Sequence, residues 1–256
     1  MTEVPDVCMF MRRVGPFHEE QMSAFARHTK ESFNLIYVYE PDTTSYQAVT
    51  QAFARSTSRY LLLIDDDVIP LDDGWISAVI GVLQRHQELG AVSAFELRTQ
   101  ELVDEYLANR EAFRAKGAGT ILQSTSLSGL MAFDRARVPD LYSEEGFPGR
   151  YGMNDADLAF QVHKAGLQSA FTCLTCVKHL WKPDGQREWR LANDIIPQDE
   201  EPHWHELHKQ FMRKKWGRYF DENWPNRFLR VIESLPDQPR DELFEMMVTI
   251  EDTFSK

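Results

Sequence analysis

Three consecutive carboxylates, Asp65, Asp66 and Asp67, follow the apolar run Leu61 to Ile64. Charge at the mouth of a buried strand is costly unless an ion or a dense set of hydrogen bonds compensates it. A divalent cation is the simplest compensation, and hard carboxylate oxygens suit Mg2+ or Mn2+ that also binds phosphate. Residues two apart on an extended chain point to one side, so Asp65 and Asp67 are expected to face one site, with Asp66 turned toward a neighbouring ligand group. The triplet also fits a solvated turn, since Pro70, Asp72, Asp73 and Gly74 follow it. Taken alone, it does not choose between the two.

Two further segments carry chemistry. In GRYGMNDADLAFQVHKAG, Leu158, Val162 and Ala165 form an apolar helical stripe, Gly166 stands at the helix terminus, and Asn154 or Asp155 would cap the start. A carboxylate there is favoured as an anion by the positive end of the helix dipole, which suits a general base; a plain capping role competes with that. In FTCLTCVKHL, His179 follows an apolar stretch, and imidazole together with carboxylate oxygen suits Mn2+. Cys173, Cys176 and His179 recur every third residue, which invites a zinc site. Thr172, Thr175 and Val177 favour a strand, on which Cys176 would face away from Cys173 and His179, so the cysteines read as small core residues. The chain has no GxxxxGK and no GxGxxG, the marks of P-loop hydrolases and dinucleotide dehydrogenases. The loop after its first strand, MRRVGPF, matches poorly the Gly-rich loop of a sugar-phosphate nucleotidyltransferase.

The elements that must position these groups follow an α/β pattern. Val7 to Met11, Leu35 to Tyr39 and RYLLLI read as strands, with helices through Met22, Phe25 and Ala26 and from Tyr46 to Arg55 between them. Two such crossovers predict a mainly parallel sheet. Trp75 to Gln87 reads as a helix with Gly90 just past its end, AVSAFEL as the next strand, and SLSGLMAF and QSAFTCLTCVKHL as later strands flanking a helix from Asn154 to Lys164. The sheet is expected to end near Leu180. Beyond it, KPDGQ, NDIIPQDEEP and LPDQP mark loops between helical segments. The expected organisation is therefore one large α/β domain over residues 1–180 and a helical C-terminal appendage over 181–256, packed on the same domain. The net charge of −12 opposes broad attraction to nucleic acid or anionic membrane. Apolar runs are far shorter than the roughly 20 residues of a spanning helix. The start, MTEVPDVCMFMRR, lacks a signal pattern, and three cysteines form no disulfide framework, so the cytoplasm is the default compartment.

The order of these motifs resembles the nucleotide-diphospho-sugar transferases of the GT-A fold, most closely glycosyltransferase family two, over roughly Val7 to Leu180. YLLLIDDDVIP resembles the DxD strand, SLSGLMAFDRARV the acceptor-side glycine strand, GFPGRYGMNDADLAFQVHKAG the catalytic-base helix, and VKHL the late metal-binding histidine. The resemblance implies that Asp67 and His179 bind Mn2+ or Mg2+, with Asp65 and Asp66 nearby for metal, ribose or sugar. It implies that Glu40 holds the nucleotide base, Arg12 lines the first nucleotide-facing loop and Gly129 leaves room for the donor sugar. Asp155 matches the second carboxylate of the family's Glu-Asp pair and would be the base. Asn154 replaces the first carboxylate, a departure from the pattern, and Asp157 is the reserve. The activity implied is metal-dependent transfer of a sugar from a nucleotide-diphospho-sugar, a UDP-sugar first, to an acceptor hydroxyl with inversion. Nucleotidyl or phosphoryl transfer and a non-catalytic sugar-nucleotide-binding module are the alternatives.

The segment HWHELHKQFMRKKWGRYF sets His203, His205, His208 and five basic residues among Leu207, Phe211, Trp216 and Tyr219. An amphipathic helix with its apolar side on the core is the first expectation, an acceptor-binding or nucleic-acid-binding face the second. The loop from Trp181 to Glu201 is placed to act as a lid over the donor, with Lys182 contacting phosphate. Leu243, Met247, Ile250 and Phe254 form a stripe suited to core packing or to a homodimer. Saccharide, peptide and modified nucleobase all fit as acceptors.

Overall fold

The computed structural model describes residues 4–11, 16–39, 45–110, 121–127, 129–142, 153–179, 201–223 and 228–233. Its core follows from the period of two in an extended chain. In β3 (Tyr60–Ile64), Tyr60, Leu62 and Ile64 enter one apolar cluster and Leu61 and Leu63 the other, which is why the strand reads as an unbroken apolar run. The first face is covered by α1 (Pro16–His28), through Phe25, and by α3 (Trp75–Arg85), through Ile76, Val79, Ile80, Val82 and Leu83. Ala48, Val49, Ala52 and Phe53 of α2 (Ser45–Arg55) cover the other, with Leu158, Ala159 and Val162 of α5 (Asn154–Lys164). The sheet is thus sandwiched between helices, as an α/β reading of the sequence requires.

The described strands are β1 (Asp6–Met11), β2 (Asn34–Tyr39), β3, β4 (Ile69–Pro70), β5 (Leu89–Leu97), β6 (Ile121–Ser124), β7 (Leu130–Asp134), β8 (Gln168–Lys178) and β9 (Phe228–Glu233). They join in the order β2-β1-β3-β7-β5-β8-β6-β9, with the short β4 on β8. β1 pairs parallel with β2 and β3, and β5 with β8. The other pairings, β3·β7, β4·β8, β5·β7, β6·β8 and β6·β9, are antiparallel, so the sheet is mixed where the sequence suggests mainly parallel. β6 and β7 stand on opposite sides of the parallel β5·β8 pair and both run against it, which is what makes this half of the sheet mixed.

The sheet also extends past Leu180, because β9 pairs with β6 at the edge. A helix absent from the sequence reading, α4 (Gln100–Ala108), follows β5 and is capped by Thr99, whose hydroxyl accepts from the Leu102 N–H at 3.3 Å. Gly90 lies inside β5 rather than at a helix end, since α3 stops at Arg85. Gly166, by contrast, ends α5 as expected: at φ 79° its N–H donates to His163 O and the next N–H, of Leu167, to Val162 O, a Schellman closure. In β8 the register against β5 jumps between Ala94/Thr172 and Phe95/Cys176. This bulge defeats simple alternation, and Cys173 and Cys176 enter the same apolar cluster. Cys8, Cys173 and Cys176 are all free and buried, and burial pushes the thiols of Cys8 and Cys173 up to about 12.

Past the sheet come α6 (Glu201–Trp216) and α7 (Arg218–Asn223). Met212 and Phe220 join Tyr46, Met153, Ala156 and Phe160 in one cluster, with Phe211 and Trp216 packed on it, so this region is seated on α2 and α5. Trp216 and Tyr219 meet the Phe160 ring edge-on at 5.6 and 5.0 Å. No described helix is long and apolar enough to cross a membrane.

Asp6 fastens the start of β1, at the end of the sheet away from the Asp triplet. Its carboxylate accepts from Asn34 Nδ2, the Ser56 and Ser58 hydroxyls and the backbone N–H groups of Thr57 and Ser58, at 2.7–2.9 Å. Burial opposes its ionisation, but the hydrogen bonds from the Ser58 backbone and from Asn34, Ser56 and Ser58 prevail and lower its pKa from 3.8 to about 2. A depressed carboxyl contributes stability that is complete above the unfolded value and is lost as pH falls through the folded one. Asp6→Asn should therefore cost about 2 kcal/mol at pH 7, a gap that narrows from about pH 4 downward and closes near pH 2. Urea unfolding of both proteins across that range measures it.

Candidate functional site

The Asp triplet forms a turn leaving β3. The Asp65 N–H donates to Gly129 O at 2.8 Å, and the Val68 N–H returns to Asp65 O at 3.2 Å. Gln21, reaching from α1, donates its amide Nε2 to both Asp65 O (2.7 Å) and Val68 O (2.8 Å), so one buried side chain pins both ends of the turn. Asp65 and Asp66 remain half-buried at the surface of the site, while Asp67 is turned inward at 8% exposure. Gly129 lies against this turn. A Cβ on it would stand 2.4 Å from Val68 Cγ2, 3.3 Å from Asp65 Oδ2 and 3.5 Å from His179 Cε1. Only glycine allows this close approach.

His179 comes from the end of β8, where its N–H donates to Leu97 O of the neighbouring β5. Its ring lies between two carboxylates, with Nδ1 2.7 Å from Glu96 Oε1 and Nε2 3.3 Å from Asp67 Oδ1. Glu96 is buried at 6% exposure, and its Oε1 also accepts from the Gly129 N–H at 2.9 Å. Arg98 reaches its Oε2 with Nε at 2.8 Å and Nη2 at 2.7 Å. Burial alone would raise the pKa of Glu96, but the charges of His179 and Arg98 and the hydrogen bonds from His179 and Gly129 hold it well below the usual carboxylate range. For His179, burial works against the charged ring, yet the charge of Glu96 and its hydrogen bond win and raise the pKa.

The pair Asp67 Oδ1 and His179 Nε2 fits a divalent cation. Two neighbouring ligands of an octahedral ion bound at 2.0–2.1 Å stand roughly 3 Å apart, close to the 3.3 Å found here. The donor chemistry, one carboxylate oxygen and one imidazole nitrogen whose other ring nitrogen is held by a carboxylate, is that of protein metal ligands. Among the described residues no group of three or more His, Cys, Asp or Glu side chains is arranged to hold a metal ion, so this pair would supply two ligands and leave the others to water or a bound diphosphate.

Asp155 stands in the first turn of α5, half-buried, and its Oδ2 accepts from the Ser126 hydroxyl at 3.2 Å. That bond ties it to the connector leading into Gly129. Met153, not Asn154 or Asp155, occupies the cap position, and no side chain caps the helix there, so the capping role does not apply. Asp157, the reserve base, is 1% exposed and already committed: Lys215 Nζ (2.9 Å), Trp216 Nε1 (2.7 Å) and Gln161 Nε2 (2.8 Å) all donate to it. It fastens α6 to α5.

Arg12, Glu40 and Lys182 lie outside the described residues, as do the segment 181–200 and the stripe from Leu243 to Phe254. On α6 and α7 four of the five basic groups have acidic neighbours: Lys209 with Glu206, Arg213 with Asp221, Lys215 with Asp157 and Arg218 with Glu222. His208 is buried at 5% exposure. These pairings and the packing of Phe211 and Trp216 favour the amphipathic reading over a nucleic-acid face. Sequence reasoning did not single out Gln21, Glu96, Arg98 or Ser126. For Glu96 a signal exists, since it is the one charged residue in the strand AVSAFEL.

Residues 19–136, somewhat under half of the chain, match the family described as Glycosyl transferase family 2. A mannosyltransferase from Pyrobaculum calidifontis, solved with GDP-Man and Mn2+, superimposes with a TM-score of 0.51 at 16% identity, covering 99% of this chain and 81% of its own. The chain has the GT-A fold, and over residues 19–136 it is similar to glycosyltransferase family 2. GalNAc-T7, solved with UDP, GalNAc and Mn2+, gives a TM-score of 0.54 at 8% identity over 86% of this chain and 55% of that one. Glucosyl-3-phosphoglycerate synthase from Mycobacterium tuberculosis, solved with Mg2+ and UDP, gives 0.50 at 12% identity over 83% and 79%. No curated protein matches the sequence.

The contact of Gly129 with Val68 makes a steric prediction for this GT-A chain. Gly129→Ala should cost about 1–3 kcal/mol by overpacking, because the new methyl meets the stiff branched side chain of Val68. Val68→Ala added to it should recover part of that loss, as read from urea unfolding of the single and double variants.

Proposed function

We propose that this chain transfers a sugar from a nucleotide-diphospho-sugar to an acceptor hydroxyl with inversion, using the turn Asp65–Asp67, Gly129 and His179 as the donor site and Asp155 as the base. The observation that carries the reading is the meeting of Asp65, Asp67, Gly129 and His179 from three strands, β3, β7 and β8, in a GT-A fold. A divalent cation bound there would neutralise the diphosphate leaving group. Asp67 and His179 would hold it, and Asp65 and Asp66 would face the ribose or sugar. Gly129 supports the donor site by what it lacks, letting the start of β7 lie against Val68 and the Asp65 turn more closely than any side chain would allow.

Asp155 would accept the acceptor's proton as its oxygen attacks the anomeric carbon. Ser126 donates its hydroxyl to one oxygen of Asp155, and in sequence it stands three residues before Gly129. A base opposite the leaving group gives in-line attack and inversion.

UDP-sugars are the first donors to test, and GDP-mannose follows because the mannosyltransferase of similar fold was solved with it. Incubation with a panel of sugar nucleotides and Mn2+ should release the nucleoside diphosphate from one of them. Release of pyrophosphate would instead indicate nucleotidyl transfer, and an intact donor throughout would indicate a binding module. Asp155→Asn should lower transfer at least about a hundredfold with nucleotide binding retained, as checked by calorimetry; transfer at the parent rate would remove Asp155 from the mechanism.

A further inference from the structure

We infer that Glu96 is the positioning residue of the donor site, fixing the tautomer and direction of His179 and the place of Gly129 without itself touching donor or cation. This rests on the donor-site reading above, and it concerns a residue to which neither the sequence motifs nor the fold assigns a role.

An ionised carboxylate only accepts, so the contact between Glu96 Oε1 and His179 Nδ1 at 2.7 Å requires the proton on Nδ1. The nitrogen that remains, Nε2, is the one turned toward Asp67 Oδ1. Glu96 therefore decides which ring nitrogen faces the donor site, and the bond holds the ring's rotation as well. The same oxygen accepts from the Gly129 N–H, and Gly129 O accepts from the Asp65 N–H. One carboxylate thus connects the end of β8, the start of β7 and the end of β3. Arg98 holds the other oxygen with two N–H groups, so the carboxylate cannot swing away without breaking a buried ion pair.

Glutamine is a sharp probe of this arrangement, because it keeps the shape and removes the four-acceptor character. Donors converge on both oxygens of Glu96, from Gly129 and His179 on one side and from Arg98 on the other. Whichever way the amide of Glu96→Gln is turned, its NH2 group faces N–H donors. One side of the network must open, and the side held by a charged guanidinium is the stronger.

The test is Mn2+ binding in the presence of UDP, followed by the electron paramagnetic resonance of free Mn2+, together with the imidazole 15N and 1H spectrum of His179. In the parent, His179 should show a slowly exchanging Nδ1–H. Glu96→Gln should bind Mn2+ about 10–100-fold more weakly while its circular dichroism is unchanged. In a His179→Asn background the same substitution should cost less than about threefold, because the ring it orients is gone. Parent affinity in Glu96→Gln, or an equal loss in both backgrounds, would overturn the inference. A parent His179 without the Nδ1 proton would overturn it too, and that measurement needs no variant to fold. Failure of the parent itself to bind Mn2+ would remove the metal reading and, with the Nδ1–H still present, leave the orientation of His179 by Glu96 standing.

Discussion

Glu96 accepts from Gly129, His179 and Arg98 at 2.7–2.9 Å in a place that water barely reaches. The constraint behind this cluster is that charge removed from water must be compensated in place. A buried carboxylate without these donors would cost several kcal/mol; with them it becomes a fixed point around which three strand ends are arranged. His179 then stands between two carboxylates, with Nδ1 2.7 Å from Glu96 Oε1 and Nε2 3.3 Å from Asp67 Oδ1.

The rest of the fold uses the same device at other corners. Asp6 gathers the loop after α2 and the start of β2 at the far end of the sheet. Asp72, buried, takes the Tyr106 hydroxyl from α4 and the Cys176 N–H from the bulge in β8. Asp157 fastens α6 to α5 through Lys215 and Trp216. Each buried carboxylate joins segments distant in sequence, so the apolar layers hold the sheet together and the charged groups fix where its ends meet. Asp155 differs from Asp157 in that respect: two residues apart on one helix, the first is half-buried beside Ser126, the second enclosed.

Much of this was legible in the sequence, for a physical reason. RYLLLI had to be a doubly buried strand, and the stripe of Leu158 and Val162 with Gly166 behind it gives a helix whose bounds the structure reproduces at Asn154–Lys164. What escaped are features made by partners far away in the chain. β6 is four residues long and β9 lies at an edge, so neither has a pattern of its own until the other pairs with it. The bulge that brings Cys173 and Cys176 to one side is invisible to a period of two. Asp65, Asp67, Gly129 and His179 could be picked out because their types are costly or unusual where they stand. Gln21 and Glu96 could not, since their importance lies in which atoms of other segments they meet.

The place proposed for a cation and a diphosphate to meet is where Asp67 and His179 converge. Anomalous diffraction at the manganese edge, from crystals grown with Mn2+ and UDP, tests it most directly. The expected result is a single strong peak within bonding distance of both Asp67 Oδ1 and His179 Nε2, with diphosphate oxygens completing its shell. Manganese and diphosphate bound together elsewhere, with the Asp67 to His179 contact intact, would contradict it.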